Sequence, residues 1–142
     1  MRIDLAGWTR EATCGDHRGF IALFERAEQL GFDGVWFNEF RLPEQPWPYP
    51  STLLLAAALF ARTERLRVGT SVLVLPVHHP LMLAEEIAQL DFQSAGRLDV
   101  GIGRGTEPAA LQALQIAPEE TRARFEQSCR LLRLALCGEA LP

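Results

Sequence analysis

RLRVGTSVLVLP (Arg65 to Pro76) and GRLDVGIGRG (Gly96 to Gly105) decide the fold. The first is apolar and β-branched almost throughout from Leu66 to Leu73, the pattern of a strand covered on both faces. Each run breaks at its C-terminal end into a loop marked by proline or glycine. Between them, Pro80 suits the first position of a helix reaching to about Phe92, with Leu83, Ile87 and Leu90 recurring on one face. The SAGR turn (Ser94 to Arg97) then leads into a fourth strand, LDVGIG.

Working outward, Arg2 to Trp8 reads as a short first strand, followed by a polar, turn-rich stretch from Thr9 to Arg18. Phe20, Leu23, Phe24, Ala27 and Leu30 predict a helix over Gly19 to Leu30, and Gly31 is placed to end it. FDGVWF (Phe32 to Phe37) is the second strand, with Trp36 expected in the core. The next segment, RLPEQPWPYP, holds four prolines in ten residues and must be an extended loop. Ser51 is positioned to cap a helix over Thr52 to Arg62. A last helix over Pro118 to Leu136 carries Phe125, Cys129, Leu132 and Leu136 on one side, with Glu119 and Glu120 favourable near its start. Four strand and helix pairs with short returns demand parallel strands joined by right-handed crossovers. An open doubly wound sheet and an arc of a (β/α)8 barrel both satisfy this. The chain stops where a fifth strand is expected, so residues 1–142 read as a single truncated α/β domain.

Fourteen Lys and Arg against eighteen Asp and Glu give a net charge of −4 with no basic cluster, which argues against a nucleic-acid partner. No apolar run approaches the roughly 18 residues of a membrane span, and the N-terminus lacks the pattern of a signal peptide; a cytoplasmic location is expected. Cys14, Cys129 and Cys137 form no Cys-x-x-Cys pair and read as free thiols, and no metal is expected.

The glycines of VGIGRGT invite a phosphate-binding reading, because bare backbone N–H groups approach an anion closely. Their G-x-G-x-G spacing matches neither the dinucleotide fingerprint nor the P-loop. Arg104, at the C-terminal mouth of the fourth strand, suits a phosphate or carboxylate. Glu39, just past the second strand, is a mouth carboxylate that positions a cofactor, acts in proton transfer, or pairs with Arg41 or Arg104 in a structural network. His78 and His79 lack a third residue at metal-ligand spacing and read as capping and loop-packing groups. Trp47 and Tyr49 in the proline loop are expected to be exposed enough to meet a flat ligand.

Taken together, GFDGVWFNEF, ARTERLRVGTSVLVLP and LAEEIAQLDFQSAGRLDVGIGRG resemble the luciferase-like flavin-dependent monooxygenases, over roughly residues 20 to 137. The resemblance implies the first half of a TIM-like (β/α)8 barrel, about four βα units. It implies an oxidoreductase in which reduced FMN, or alternatively the deazaflavin F420, sits at the C-terminal mouth with a small-molecule substrate. Glu39, Thr70, Ser71, Gly103 and Arg104 are the implied cofactor-binding positions. A non-proline cis peptide is implied between Thr70 and Ser71, and a structural Asp91–Arg97 pair between third helix and fourth strand. Luciferases carry Glu-His-His after strand two, the first His being catalytic; here the tripeptide is Glu39, Phe40, Arg41, so aldehyde oxidation with light emission is not implied. Full members run to about twice this length. A half barrel exposes its inner face and two strand edges, which points to a homo-oligomer or a partner chain that completes the barrel. The competing readings are a non-catalytic half-barrel or interaction subunit, and an F420-dependent dehydrogenase.

Overall fold

The structure, a computed structural model, describes residues 1–6, 16–42, 48–105 and 107–140. Trp8, Cys14 and Trp47 lie outside the described residues. Strands β1 (Asp4–Leu5), β2 (Gly34–Phe37), β3 (Arg67–Val74) and β4 (Leu98–Gly103) form one parallel sheet in the order β1-β2-β3-β4. Helix α1 (His17–Gln29) follows β1, α2 (Thr52–Phe60) follows β2 and α3 (Pro80–Gln93) follows β3. A short α4 (Pro108–Ala113) and the long α5 (Thr121–Cys137) follow β4.

Strands that follow one another in chain order, each joined by a crossover of the same hand, put every helix on the same side. A doubly wound sheet reverses its strand order midway and places helices on both faces. The observed order is therefore that of a barrel arc. Burial agrees: Phe20 and Phe24 of α1, Leu55 and Leu59 of α2, and Leu83 and Ile87 of α3 share one apolar cluster with Val35, Phe37, Val68, Leu73 and Leu98 of the sheet.

Local chemistry sets the element ends. The Asp16 carboxylate accepts the Arg18 N–H, so α1 starts two residues earlier than the apolar spacing predicts. Gly31, at φ +89°, lets the Phe32 N–H turn back to the Ala27 carbonyl. Ser51 caps α2 through the Leu54 N–H, and Pro80 opens α3 as expected. At the last helix the chain first makes a 3₁₀ turn, Pro118–Glu120, and Thr121 donates its hydroxyl to the Pro118 carbonyl where the α-helix begins.

Several expectations are corrected. Within the expected strand Arg2 to Trp8, β1 covers Asp4–Leu5, residues 7 and 8 lying outside the described residues. β2 begins at Gly34 instead of Phe32, because the preceding turn is tied down by Asp33, whose carboxylate accepts the Ile3 N–H at 2.6 Å. Leu136 is 45% exposed, since the buried seam of α5 runs through Leu132 and continues at Ala135. Trp36 is half-buried and lies on the face opposite the helices, against Gly69 of β3, where any Cβ would enter its ring. Tyr49 packs inward instead of meeting solvent; its ring stacks on Phe20 at 4.7 Å and its oxygen sits 2.9 Å from Nδ1 of His17.

Candidate functional site at the strand ends

The C-terminal ends of β2, β3 and β4 gather the sequence-predicted residues into three arrangements. The first is built on Glu39. Its side chain is fully shielded, and its oxygens accept the Val74 N–H at 2.8 Å, Nε of Arg41 at 2.8 Å and Nε2 of His78 at 2.9 and 3.0 Å. Burial pushes this carboxyl upward, but the His78 hydrogen bond and charge, the Val74 amide and Arg41 outweigh it and hold the group below its ordinary value. Of the two pairings foreseen, Arg41 is the one formed. The link from Glu39 to His78, across 39 residues, has no sequence signature; only the parallel pairing of β2 with β3 brings them together.

The second arrangement spans β3 and β4. Thr70 is wholly buried, and its hydroxyl donates to the Gly101 carbonyl at 2.8 Å while accepting the Gly101 N–H at 3.0 Å. That bridge keeps Thr70 in register with Val100, and the sheet shifts register between Thr70 and Leu73. The cis peptide falls inside this shift, between Ser71 and Val72, one bond later than expected, because Thr70 itself remains in the regular ladder. Ser71 is exposed. Gly103 and Gly105 have no room for a side chain, because Val72 and Val74 of β3 occupy the space a Cβ would need. The glycines thus accommodate the neighbouring strand, as Gly69 accommodates Trp36, and one side chain after another nests on the adjacent strand across the inner face.

The third element is Arg104, one residue past β4. It is exposed, and its guanidinium has no hydrogen-bond or ion-pair partner among the described residues. At the opposite, N-terminal end of the strands the inner face carries charges that sequence reading missed. Arg67 grips Asp99 with two hydrogen bonds of 2.9 and 2.6 Å, and Arg2 bridges Asp4 and Asp99. Arg67 and Arg2 hold Asp99 below its ordinary value against the effect of burial. The alternation of β-strand side chains places Asp4, Trp36, Arg67 and Asp99 on one face, a signal present in the sequence once register is known.

Asp91 and Arg97 do not pair. Arg97 instead donates to the main-chain oxygens of Ser94, Thr63, Leu66 and Phe60, and lies 4.8 Å over the Phe60 ring. Among the described residues no cluster of three potential ligands could hold a metal, and no helix is long and apolar enough to cross a membrane.

A chain-ordered parallel sheet, with helices on one side and its polar groups at the strand ends, defines the α/β architecture of barrel enzymes. The model of the luciferase-like monooxygenase family matches residues 3–141, and the chain belongs to that family. It is 35% identical over 120 residues to a 4-hydroxyprotoasukamycin monooxygenase of Streptomyces nodosus subsp. asukaensis, an alignment covering 84% of this chain and 32% of the relative. The crystal structure of the monooxygenase RslO1 from Streptomyces bottropensis superposes with a TM-score of 0.83 at 34% identity, covering 94% of this chain and 42% of that one. The oxygenating constituent of 3,6-diketocamphane monooxygenase from Pseudomonas putida, solved with FMN, shares the fold at a TM-score of 0.78 and 24% identity, covering 93% of this chain and 38% of its own. The chain therefore spans 32–42% of these relatives' lengths.

Proposed function

We propose that this chain forms part of a flavin-dependent monooxygenase in which reduced FMN and O₂ oxidise a small organic substrate at the ends of β3 and β4. The observation that carries the reading is two exposed groups: the Ser71 hydroxyl in the C-terminal half of β3, beside the nested Val72 and Gly103, and the guanidinium of Arg104 just past β4, which has no partner among the described residues. The family match and the FMN held by the diketocamphane relative support it. These residues fit a planar, phosphorylated group. Arg104 would hold the phosphate through charge-assisted hydrogen bonds; Val72 seated on Gly103 would offer an apolar surface to the ring, with Ser71 as a neighbouring donor. Thr70 and Glu39 would act from behind, fixing β3 to β4 and to the end of β2. The flavin, when bound, supplies the electrons delivered to O₂, and the chain supplies binding, orientation and electrostatic support.

Titration of the chain into FMN should quench flavin fluorescence saturably, with a dissociation constant on the order of micromolar. Arg104→Ala should weaken FMN far more than riboflavin, which lacks the phosphate; equal losses for both ligands would refute the phosphate assignment. Folded protein that leaves FMN fluorescence unchanged would favour a second reading, in which this chain requires a partner to complete the barrel before it binds cofactor. The observation behind that reading is that β1 and β4 each pair on one side only among the described residues.

A further inference from the structure

We infer that His78 is a proton-transfer group of the mouth, with its Nδ1 as the working atom and Glu39 as the residue that positions and supports it. The inference rests on the flavin-site reading for its place in a reaction, and on geometry for everything else. His78 follows the 3₁₀ turn Leu75–Val77 at the end of β3 and precedes α3, so it belongs to a βα loop, the part of such folds where chemistry is placed.

Its Nε2 lies 3.0 and 2.9 Å from the two oxygens of Glu39. An ionised carboxylate only accepts hydrogen bonds. Glu39 also takes N–H groups from Val74 and Arg41, which favour its charged form. The contact with His78 therefore requires the hydrogen on Nε2, and in the neutral ring this leaves a lone pair on Nδ1. Among the described residues Nδ1 has no hydrogen-bond partner, while the side chain keeps 12% of its surface exposed. A histidine that is used only for packing has no need of a fully shielded carboxylate fixing its tautomer.

A carboxylate hydrogen-bonded to one ring nitrogen fixes the tautomer and orientation of the imidazole and leaves the other nitrogen as the proton acceptor. The step is a proton transfer alone. An O–H of substrate or water at the mouth gives its proton to Nδ1, the bond electrons stay on that oxygen, and the ring later releases the proton to solvent. Glu39 keeps its charge throughout. His79, the next residue, is exposed and makes no side-chain cap to α3, so the two neighbouring histidines differ in kind.

Long-range ¹H–¹⁵N NMR on the ¹⁵N-labelled chain, at a pH where the rings are neutral, reads the tautomer directly. His78 should show Nε2–H with an unprotonated Nδ1, and Glu39→Gln should mix its tautomers while leaving His17 unchanged. An Nδ1–H tautomer in the unaltered chain would overturn the inference, and so would a folded Glu39→Gln whose His78 pattern is unaltered. Should that variant not fold, the pattern of the unaltered chain decides. Diethyl pyrocarbonate with peptide mass mapping tests access: His78 should be carbethoxylated, and FMN should protect it. A His78 that stays unmodified while His17 and His79 react would overturn the inference, as would modification indifferent to FMN that quenches on binding. If FMN does not bind, the flavin reading fails by itself, and the tautomer with the modification of His78 still decides for or against the dyad.

Discussion

At the residue scale, the inner face is organised by what glycines leave out. A Cβ at position 69 would overlap the six-membered ring of Trp36, whose Nε1 is fixed by a 2.8 Å hydrogen bond to Asp4. Gly69→Ala should therefore displace Trp36 or shift β3, costing about 1–3 kcal/mol as other overpacked sites do. In Trp36→Leu the same glycine change should cost much less, and equal penalties in the two backgrounds, by urea denaturation, would show that Trp36 is not the obstacle. Glu28 is a second residue whose role is set by its contacts. Its carboxylate receives the main-chain N–H groups of Glu64, Arg65 and Leu66, the latter two at 2.6 Å. Burial raises its pKa, but these donors together bring it below the ordinary 4.5. A group with a depressed folded pKa contributes its full stabilisation above the unfolded value and loses it as pH falls through the folded one. Glu28→Gln should thus cost about 1–3 kcal/mol near neutrality, and the gap between variant and parent should close as pH falls below the ordinary 4.5 and through the lower folded value. A gap that stays constant down to acid unfolding would remove the ionised carboxylate from the account.

At the element scale, Arg97 joins pieces that no single strand or helix would hold. Its guanidinium binds the carbonyls of Phe60 at the end of α2, Thr63 after it, Leu66 before β3 and Ser94 after α3. Lysine has one ammonium and cannot span four such acceptors. Arg97→Lys should lower stability by about 2 kcal/mol or more, read from denaturant midpoints; a loss under about 0.5 kcal/mol would mean that water replaces the fork without cost. This residue also marks how far the sequence could be read. The parallel direction of the strands, the limits of β4, the Ser51 cap and the proline start of α3 were legible, because each follows from local pattern and turn chemistry, whereas the strand order was not. The acceptors of Arg97 were not, since main-chain oxygens carry no side-chain signature. α4 escaped for another reason: six residues, ended by Gln115 at φ +55°, are too few to show a helical period. In the candidate site, Glu39 and Arg104 stood out as charges at strand ends, whereas the burial of Thr70 and the link to His78 depend on register and were invisible.

At the scale of the whole molecule, the four-stranded arc covers one face of its sheet and leaves the other for something else. The inner face bears the ring of Trp36 and, at the N-terminal end, the Arg2, Asp4, Arg67 and Asp99 network, whose members satisfy one another. Such a network needs no further partner, so electrostatics alone does not drive association there. The open edge of β4 differs. Over Leu98–Gly103 it presents main-chain groups to the side away from β3, where no strand pairs with it among the described residues. An open parallel edge is a template for another strand, and parallel sheets are normally covered on both faces. The 142-residue chain should therefore self-associate through this edge and the inner face. Light scattering during size-exclusion chromatography should give a mass above one chain, falling on dilution. Hydrogen exchange at residues 98–103 should slow as the concentration rises. A monomer at every concentration, with β4 amides exchanging at a constant rate, would show that the arc is stable with its edge open. Added strands from a complementary barrel half should in that case protect β4 with no competing self-association.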